Sequence, residues 1–328
     1  MLILTASDVR KALPMDASIE AIKRAYAALS GGKAEMPVRS QLRVPPHDGT
    51  SLIMPAFVDA AGGEAMAIKI VSVFPKNPTI GLPLIHAAVL VLEAETGEPI
   101  ALLEGGALTA IRTGAASGAA TDLLARQNSK TAAIFGAGTQ GRTQLEAICT
   151  TRSIETVWVY DLDCELVEAF IDEIAGQGPI PTDLRAAPSA QDAITDADII
   201  CTATTSKRPV FPDDALKPGV HINGVGSYTL DMIEVPLETA GRATVFIDSQ
   251  EAAMQEAGEL VAAINKKLLS TTDLTELGDV INGNAPGRTS EEEITFFKSV
   301  GVAVQDAMVA QLALMNAKEM GLGQKVDW

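Results

Sequence analysis

The sequence predicts the α/β class: a Rossmann-type doubly wound parallel sheet joined to a second, α+β domain. Three observations carry this. The chain has 328 residues, more than one ordinary core organises, which favours two domains. From Lys130 onward apolar strands alternate with helical segments, as in a parallel sheet with crossover helices. From about Pro37 to Glu93 the texture differs, with short β-type runs punctuated by Pro and Gly, as in a mainly antiparallel sheet.

In chain order, Asp16 reads as the N-cap of a helix that places Ile19, Ile22, Tyr26 and Leu29 on one face and stops at Gly31-Gly32. The runs SLIMPAFV, AMAIKIVSVF and HAAVLVLEA read as strands, with a hairpin turn at Glu95-Thr96-Gly97-Glu98. GALTAIRTGAASGAATDLLAR is a helix of small residues that bridges to the next domain. Then come strand TAAIF with a helix to about Thr150, strand TVWVY with a helix through Phe170 and Ile174, and strands ADIICTAT, HINGVG and TVFIDS. The spacing of Ser290 and Glu293 fits a capping box, and FFKSVGVAVQDAMVAQLALM reads as the long helix that follows. A helix so late belongs with the first domain. The expected layout is therefore residues 1–120 with 300–328 as one discontinuous domain, and 121–299 as the nucleotide domain.

Composition narrows the function classes. Apolar residues make up 47% and charged residues 20%, as in a soluble globular protein without repeats or low-complexity bias. The net charge of −17, from 42 acidic and 25 basic residues, argues against a nucleic-acid partner, because phosphate binding needs a positive footprint. The opening MLILTASDVRKAL carries no basic leader, and no stretch reads as a membrane span. Cys149, Cys164 and Cys201 are not at metal or redox spacing; they read as reduced thiols of a cytoplasmic protein without a metal site.

Gly136-Ala137-Gly138-Thr139-Gln140-Gly141 is a GxGxxG string, and its context gives it weight: it follows the strand TAAIF and opens a helix. Gly136 would make the tight turn, Gly138 would admit the pyrophosphate and Gly141 would let helix pack on strand. The helix N-terminus offers free amides and partial positive charge to phosphates. Asp161, at the end of TVWVY, suits the ribose hydroxyls and would repel a 2′-phosphate, which favours NAD over NADP. A solvated turn or helix cap is the structural alternative for Asp161. Thr113 and Thr202 are further cofactor-binding candidates.

Outside the nucleotide domain the notable residues are cations in apolar surroundings. Alternation in AMAIKIVSV turns Lys69 away from Ile68 and Ile70, in a run apolar enough to be buried on both faces. Burial would lower its pKa and suit proton transfer; the alternative is an exposed lysine guarding an edge strand. Arg112 is the one charge of ALTAIRTGAASGAA, fit to clamp a carboxylate in a fork or to form an internal ion pair, for instance with Glu104. Arg39 and Arg43 are candidate second anchors, or surface residues. His86 and His221, alone in apolar runs, read as hydrogen-bonded core residues.

The runs IKIVSVFPKNPTIGLP, ALTAIRTGAASGAA, IFGAGTQG, INGVGSYTLDMIEV, VFIDSQEAA and FFKSVGVAVQD resemble the ornithine cyclodeaminase and mu-crystallin family, in order over nearly the whole chain. The resemblance implies NAD as cofactor, a first domain that binds substrate and dimerises through its sheet, and an active site at the cleft between domains. Lys69 matches the family's active-site lysine, and Arg112 and Arg39 match arginines that hold the substrate carboxylate. Val225, Gly226 and Ser227 match the loop beside the nicotinamide, and Lys298 and Ser299 a segment returning near the cofactor. One departure stands out. Cyclodeaminases of the family resemble AVGGD at the strand end, with a catalytic aspartate; here NGVGSY puts Tyr228 there, with Asp231 three residues on. A tyrosine, with a pKa near 10, is a poor base at neutral pH, and SYTLDMIE looks more like the ketimine-reducing branch. Tyr228 and Asp231 stand beside Lys69 as catalytic candidates. The expected activity is reduction of a cyclic ketimine such as Δ1-pyrroline-2-carboxylate. The alternatives are amino-acid dehydrogenation of the alanine-dehydrogenase kind, ornithine cyclodeamination, or non-enzymatic ligand binding as in a mu-crystallin. The expected partners are a small amino or imino acid and a second copy of the chain.

Overall fold

Local caps set the first elements. Strand β1 (Leu2–Leu4) leads into α1 (Ala6–Ala12), where Thr5 and Asp8 close a capping box. Helix α2 (Met15–Ser30) begins before the expected cap. Pro14 is its N-cap, and Asp16 sits inside the first turn, its carboxylate accepting from the Ala17 amide at 2.8 Å. A proline suits the first positions of a helix because its missing N–H has no intrahelical acceptor there. Gly31 ends α2 as expected. The middle strands are β2 (Ala34–Glu35), β3 (Ser40–Val44), β4 (Gly49–Ala60), β5 (Gly63–Val73), β6 (Ile85–Leu92) and β7 (Pro99–Glu104), and successive members from β3 to β7 pair antiparallel. The hairpin turn forms where expected, closed by Gly97 N to Glu93 O at 2.8 Å. Glu104 then caps α3 (Gly105–Leu124), accepting from the amides of Gly106 and Ala107 at 2.7 and 2.8 Å.

The next stretch alternates strand and helix: β8 (Thr131–Phe135), α4 (Thr139–Thr151), β9 (Thr156–Tyr160), α5 (Cys164–Ile174), β10 (Leu184–Ala186), α6 (Ala190–Ile194), β11 (Ile199–Thr202) and β12 (His221–Gly224). It continues with α7 (Leu237–Arg242), β13 (Thr244–Ile247), α8 (Gln250–Glu256), α9 (Gly258–Asn265), β14 (Leu274–Glu276), α10 (Leu277–Ile281) and β15 (Thr295–Lys298). The sheet order is β10-β9-β8-β11-β12-β15-β13-β14, with every pairing parallel. The order reverses between β8 and β11, the switch point at which doubly wound sheets bind ligands.

β15 corrects the reading of the late segment. Ser290 and Glu293 exchange the capping-box bonds, at 3.2 and 3.3 Å, yet no helix follows. Thr295-Phe296-Phe297-Lys298 instead forms a strand between β12 and β13, buried on both faces. A short apolar run buried on both sides has no periodicity to tell strand from helix. The helix begins only at α11 (Ala303–Met320), after Gly301 takes φ 82°, and β16 (Gln324–Lys325) closes the chain's secondary structure.

The computed structural model describes residues 1–327, which form two units: Met1–Arg112 with the chain from Val302 onward, and Thr113–Gly301. The first boundary falls inside α3, eight residues before the expected one, because the helix runs through it without a break in the sequence pattern. In the first unit the sheet runs β16-β1-β7-β6-β5-β4-β2, with β3 also on β4, and α2 and α11 cover one face. Ala65, Ala67, Lys69 and Val71 point to that covered face. The other face is open in this unit: Leu42, Ile53 and Ile70 are 61%, 40% and 49% exposed. Among the described residues no helix is long and apolar enough to cross a membrane.

Candidate active site

Lys69 is no edge lysine. Its strand lies between β4 and β6, and its side chain, 2% exposed, meets the Asp306 carboxylate of α11 at 2.7 Å. Arg112 approaches the other oxygen of Asp306 with Nε at 3.2 Å, and its Nη1 donates to Gln305 Oε1 at 2.6 Å. Gln305 in turn donates to the Tyr26 hydroxyl of α2, so helix α11 presents Gln305 and Asp306 as a seat for Arg112. Asp306 serves both cations as their buried counter-charge, closest to Lys69. Burial pulls the Lys69 ammonium down from 10.5 to about 8; Asp306 resists that fall, while Arg112 and Arg39 add to it. The lysine is thereby poised close to neutrality. Arg39, half-buried just before β3, is near enough for its charge to be felt at Lys69.

Two expectations change here. Arg112 does form an internal ion pair, but with Asp306, since Glu104 is engaged in capping α3. Asp306 itself was not among the candidates. Its signal is a lone carboxylate in the apolar pattern GVAVQDAMVAQ, which needs a buried cation as partner.

In the second unit the glycine string behaves as the fingerprint requires. Gly136 has φ 98°, and a Cβ there would sit 2.6 Å from the Ala203 carbonyl oxygen. A Cβ on Gly141 would sit 2.1 Å from the Gly136 carbonyl oxygen, whereas one on Gly138 would meet nothing within 4 Å. Gly138 is the N-cap of α4 and makes no side-chain cap, so the first amides of the helix are left to a ligand or water. Thr139 and Gln140 form that first turn. Asp161 is half-buried at the end of β9, its carboxylate accepting from the amides of Ala137 at 2.9 Å and Asp163 at 3.2 Å. Thr202, at the end of β11, has a buried hydroxyl without a hydrogen-bond partner among the described residues. Thr113 is buried, and its carbonyl accepts from Gln144 at 3.1 Å.

The turn after β12 holds the remaining candidates. Val225 and Gly226 are partly exposed, and the amides of Gly226 and Ser227 are fixed by Glu234. Lys298 and Ser299 are buried and occupied: Lys298 Nζ binds Ser227 O at 2.6 Å, and the Ser299 hydroxyl donates to Asp248 at 2.8 Å. Lys298 thereby holds the Ser227 backbone, and Ser299 holds the Asp248 carboxylate that also accepts from the amides of Val300 and Gly301. Tyr228 is half-buried, and burial with the nearby Asp231 charge raises its pKa, so at neutral pH it is a proton donor at most. Asp231 fails as a catalytic acid or base. It is 62% exposed, pairs with Lys207 at 2.6 Å and accepts from Thr229 at 2.6 Å, partners that hold its pKa at about 2. His221 is a core residue bonded to Thr295 and Asn223, and burial drops its pKa to about 3. His86 is instead exposed, opposite Ser72 on the open sheet face. The three cysteines are free, and among the described residues no group of three His, Cys, Asp or Glu could hold a metal ion.

The second unit fits a dinucleotide. The glycine turn leaves room for a pyrophosphate at the start of α4, Asp161 stands at the end of the next strand, and the unpartnered Thr202 hydroxyl lies beside the switch point. Known proteins agree with the whole chain. It is 41% identical over 330 residues to a Delta(1)-pyrroline-2-carboxylate reductase of Bacillus cereus, covering 100% of both chains. It matches the structure of Thermococcus litoralis Delta(1)-pyrroline-2-carboxylate reductase in complex with NADH and L-proline, with TM-score 0.94 and 39% identity over 99% of this chain and 100% of that one. An archaeal alanine dehydrogenase dimer with bound NAD matches with TM-score 0.91 and 33% identity, over 100% and 99% of the two chains. The sequence profile of the ornithine cyclodeaminase/mu-crystallin family spans residues 1–321. The glycine turn, the buried Lys69–Asp306–Arg112 group and these whole-length matches agree, and the chain belongs to the ornithine cyclodeaminase/mu-crystallin family.

Proposed function

We propose that this protein is an NAD(H)-dependent oxidoreductase that reduces a cyclic ketimine of the Δ1-pyrroline-2-carboxylate type to the amino acid. The observation that carries the reading is Lys69, buried against Asp306 at 2.7 Å with its pKa drawn down to about 8. The activity of the Bacillus cereus relative, and the NADH and L-proline in the Thermococcus litoralis structure, support the same substrate class.

The residues divide the work. Arg112 spends one donor of its five-donor fork on Gln305 and pairs by charge with Asp306, and its remaining donors, with Arg39, take the substrate carboxylate. That anchoring orients the imine. NADH, when bound, supplies the hydride to the imine carbon, and the C=N electron pair moves to nitrogen. Lys69 holds the proton that this nitrogen needs and delivers it as general acid, becoming a neutral amine. Tyr228 is the reserve donor. Gly136 to Gly141, Asp161, Thr113, Thr202 and the segments Val225–Ser227 and Lys298–Ser299 form the cofactor site, and the Asp161 carboxylate makes NADH preferred over NADPH.

The first unit is the substrate-binding and dimerisation domain. Its open sheet face, with Leu42, Ile53 and Ile70, is apolar enough to need a partner, and a second copy presenting the same face would cover it. The archaeal alanine dehydrogenase, a dimer, supports that arrangement; light scattering from a monomer at micromolar concentration would contradict it. The buried thiols of Cys149 and Cys201 suit a reducing cytoplasm. Cyclodeamination has no support at the position of its aspartate, where Tyr228 stands and Asp231 is tied to Lys207. Purified protein given NADH should consume it only with a cyclic ketimine acid and yield the amino acid. Ammonia release from ornithine without net NADH change would replace this reading with cyclodeamination.

A further inference from the structure

Glu234 is 0% exposed, and its carboxylate has four donors. Oε1 accepts from the Thr204 amide at 2.6 Å and the Thr204 hydroxyl at 2.8 Å. Oε2 accepts from the amides of Gly226 at 2.7 Å and Ser227 at 3.0 Å. Four donors on one carboxylate fill its acceptor sites and favour the ionised form, against burial and the nearby Glu259 charge, which raise its pKa. Glu234 thus staples the turn after β11 to the turn after β12, at the carboxyl ends of adjacent parallel strands next to the switch point.

A second set of contacts fixes the same turn from behind. Ser227 donates its hydroxyl to Glu259 Oε2 at 2.6 Å, and Lys298 on β15 reaches Ser227 O at 2.6 Å, Ser227 Oγ at 2.5 Å and Glu259 Oε1 at 3.2 Å. Lys298 and Glu259 are also 0% exposed. Gly226 is required by the close approach: a Cβ would lie 2.2 Å from Thr204 O and 2.5 Å from Glu234 Oε1. Burying two carboxylates and an ammonium is costly, and apolar side chains would fill the space more cheaply. What charges add is a fixed backbone, here limited to Thr204 and Gly226-Ser227, which border the ligand end of the sheet.

We infer that Glu234, with Lys298 and Glu259 behind it, is a positioning residue that sets the turn Val225–Ser227 against the nicotinamide end of the cofactor. The inference rests on the reading, given above, that this turn lies beside the nicotinamide. Its hydrogen bonds bear on the nicotinamide half. The glycine turn and Asp161, which serve the adenosine and pyrophosphate, make no hydrogen bond to Glu234, Lys298 or Glu259, although Gly136 lies against Ala203 and the stapled Thr204.

NADH and ADP-ribose, which lacks the nicotinamide, separate the two halves. By calorimetric titration the wild-type protein should bind NADH more tightly than ADP-ribose. Glu234→Gln should weaken NADH about tenfold, the effect of one misplaced set of hydrogen bonds, and leave ADP-ribose within about twofold. Ser227→Ala, a milder change that keeps the fold if Glu234→Gln does not, should show the same split with a smaller shift. Equal weakening of both ligands would make the network merely structural and overturn the inference, as would no change in either. Equal binding of both ligands by the wild-type protein would instead overturn the placement of the nicotinamide at this turn.

Discussion

Two buried lysines sit on interior strands of their sheets, Lys69 on β5 and Lys298 on β15, and each faces a helix carboxylate. Their surroundings differ. Lys298 makes two hydrogen bonds to Ser227 and pairs by charge with the Glu259 carboxylate at 3.2 Å, with Glu234 close by. Lys69 has one carboxylate at 2.7 Å and feels the charges of Arg112 and Arg39 as well. An ammonium held by two hydrogen bonds and a paired carboxylate is a fixture of the fold. A lysine short of acceptors and crowded by cations can give up a proton near neutral pH. The comparison supports the proposed acid role for Lys69 and a structural role for Lys298.

The largest effect should come from removing the proposed general acid. Lys69→Ala should lower turnover by about 10² to 10⁴, the usual contribution of general acid catalysis, with NADH binding unchanged. Its cost in stability should be small, because Asp306 keeps Arg112 as a counter-charge. Near-normal turnover would make Lys69 structural and transfer the proton to Tyr228 or water. Lys298→Met should act first on stability. It strands the Glu259 carboxylate in the interior, so chemical denaturation should show a loss of about 3–5 kcal/mol. A smaller effect belongs to Arg112→Lys: a point charge cannot reproduce the fork that spans Gln305, Asp306 and a substrate carboxylate, so KM should rise with kcat less affected. A change confined to kcat would mean that Arg112 serves Lys69 and not the carboxylate.

The sequence made some of this legible and hid the rest for definite reasons. The glycine string was readable because backbone geometry dictates it: Gly136 and Gly141 occupy places where a side chain would collide with carbonyls. Lys69 and Arg112 stood out because isolated cations in apolar runs are costly. Their counter-charge did not, since Asp306 lies in the last helix and nothing local ties it to β5. Glu259 was hidden in the same way, by the distance in sequence to Ser227 and Lys298, whereas Glu234 lies only eight and seven residues from Gly226 and Ser227, in an irregular turn whose folding back no periodicity announces. Thr295–Lys298 read as helix because the helix beyond it, α11, lent its pattern to a strand buried on both faces. Asp231 looked catalytic by its distance from Tyr228 along the chain, whereas its side chain turns outward to Lys207.

The most direct test of the assigned chemistry is the pH dependence of kcat/KM for ketimine reduction, in the wild-type protein and in Asp306→Asn. A general acid must be protonated, so activity should fall as pH rises through about 8, the value at which Lys69 gives up its proton. Asp306 is the largest influence holding that value up against burial and the two arginines, so its neutral replacement should move the fall to lower pH. Titration of the substrate imine itself would be the same in both proteins and cannot mimic the shift. An alkaline limb that stays in place in Asp306→Asn would contradict the account, because the proton would then come from a group that Asp306 does not touch.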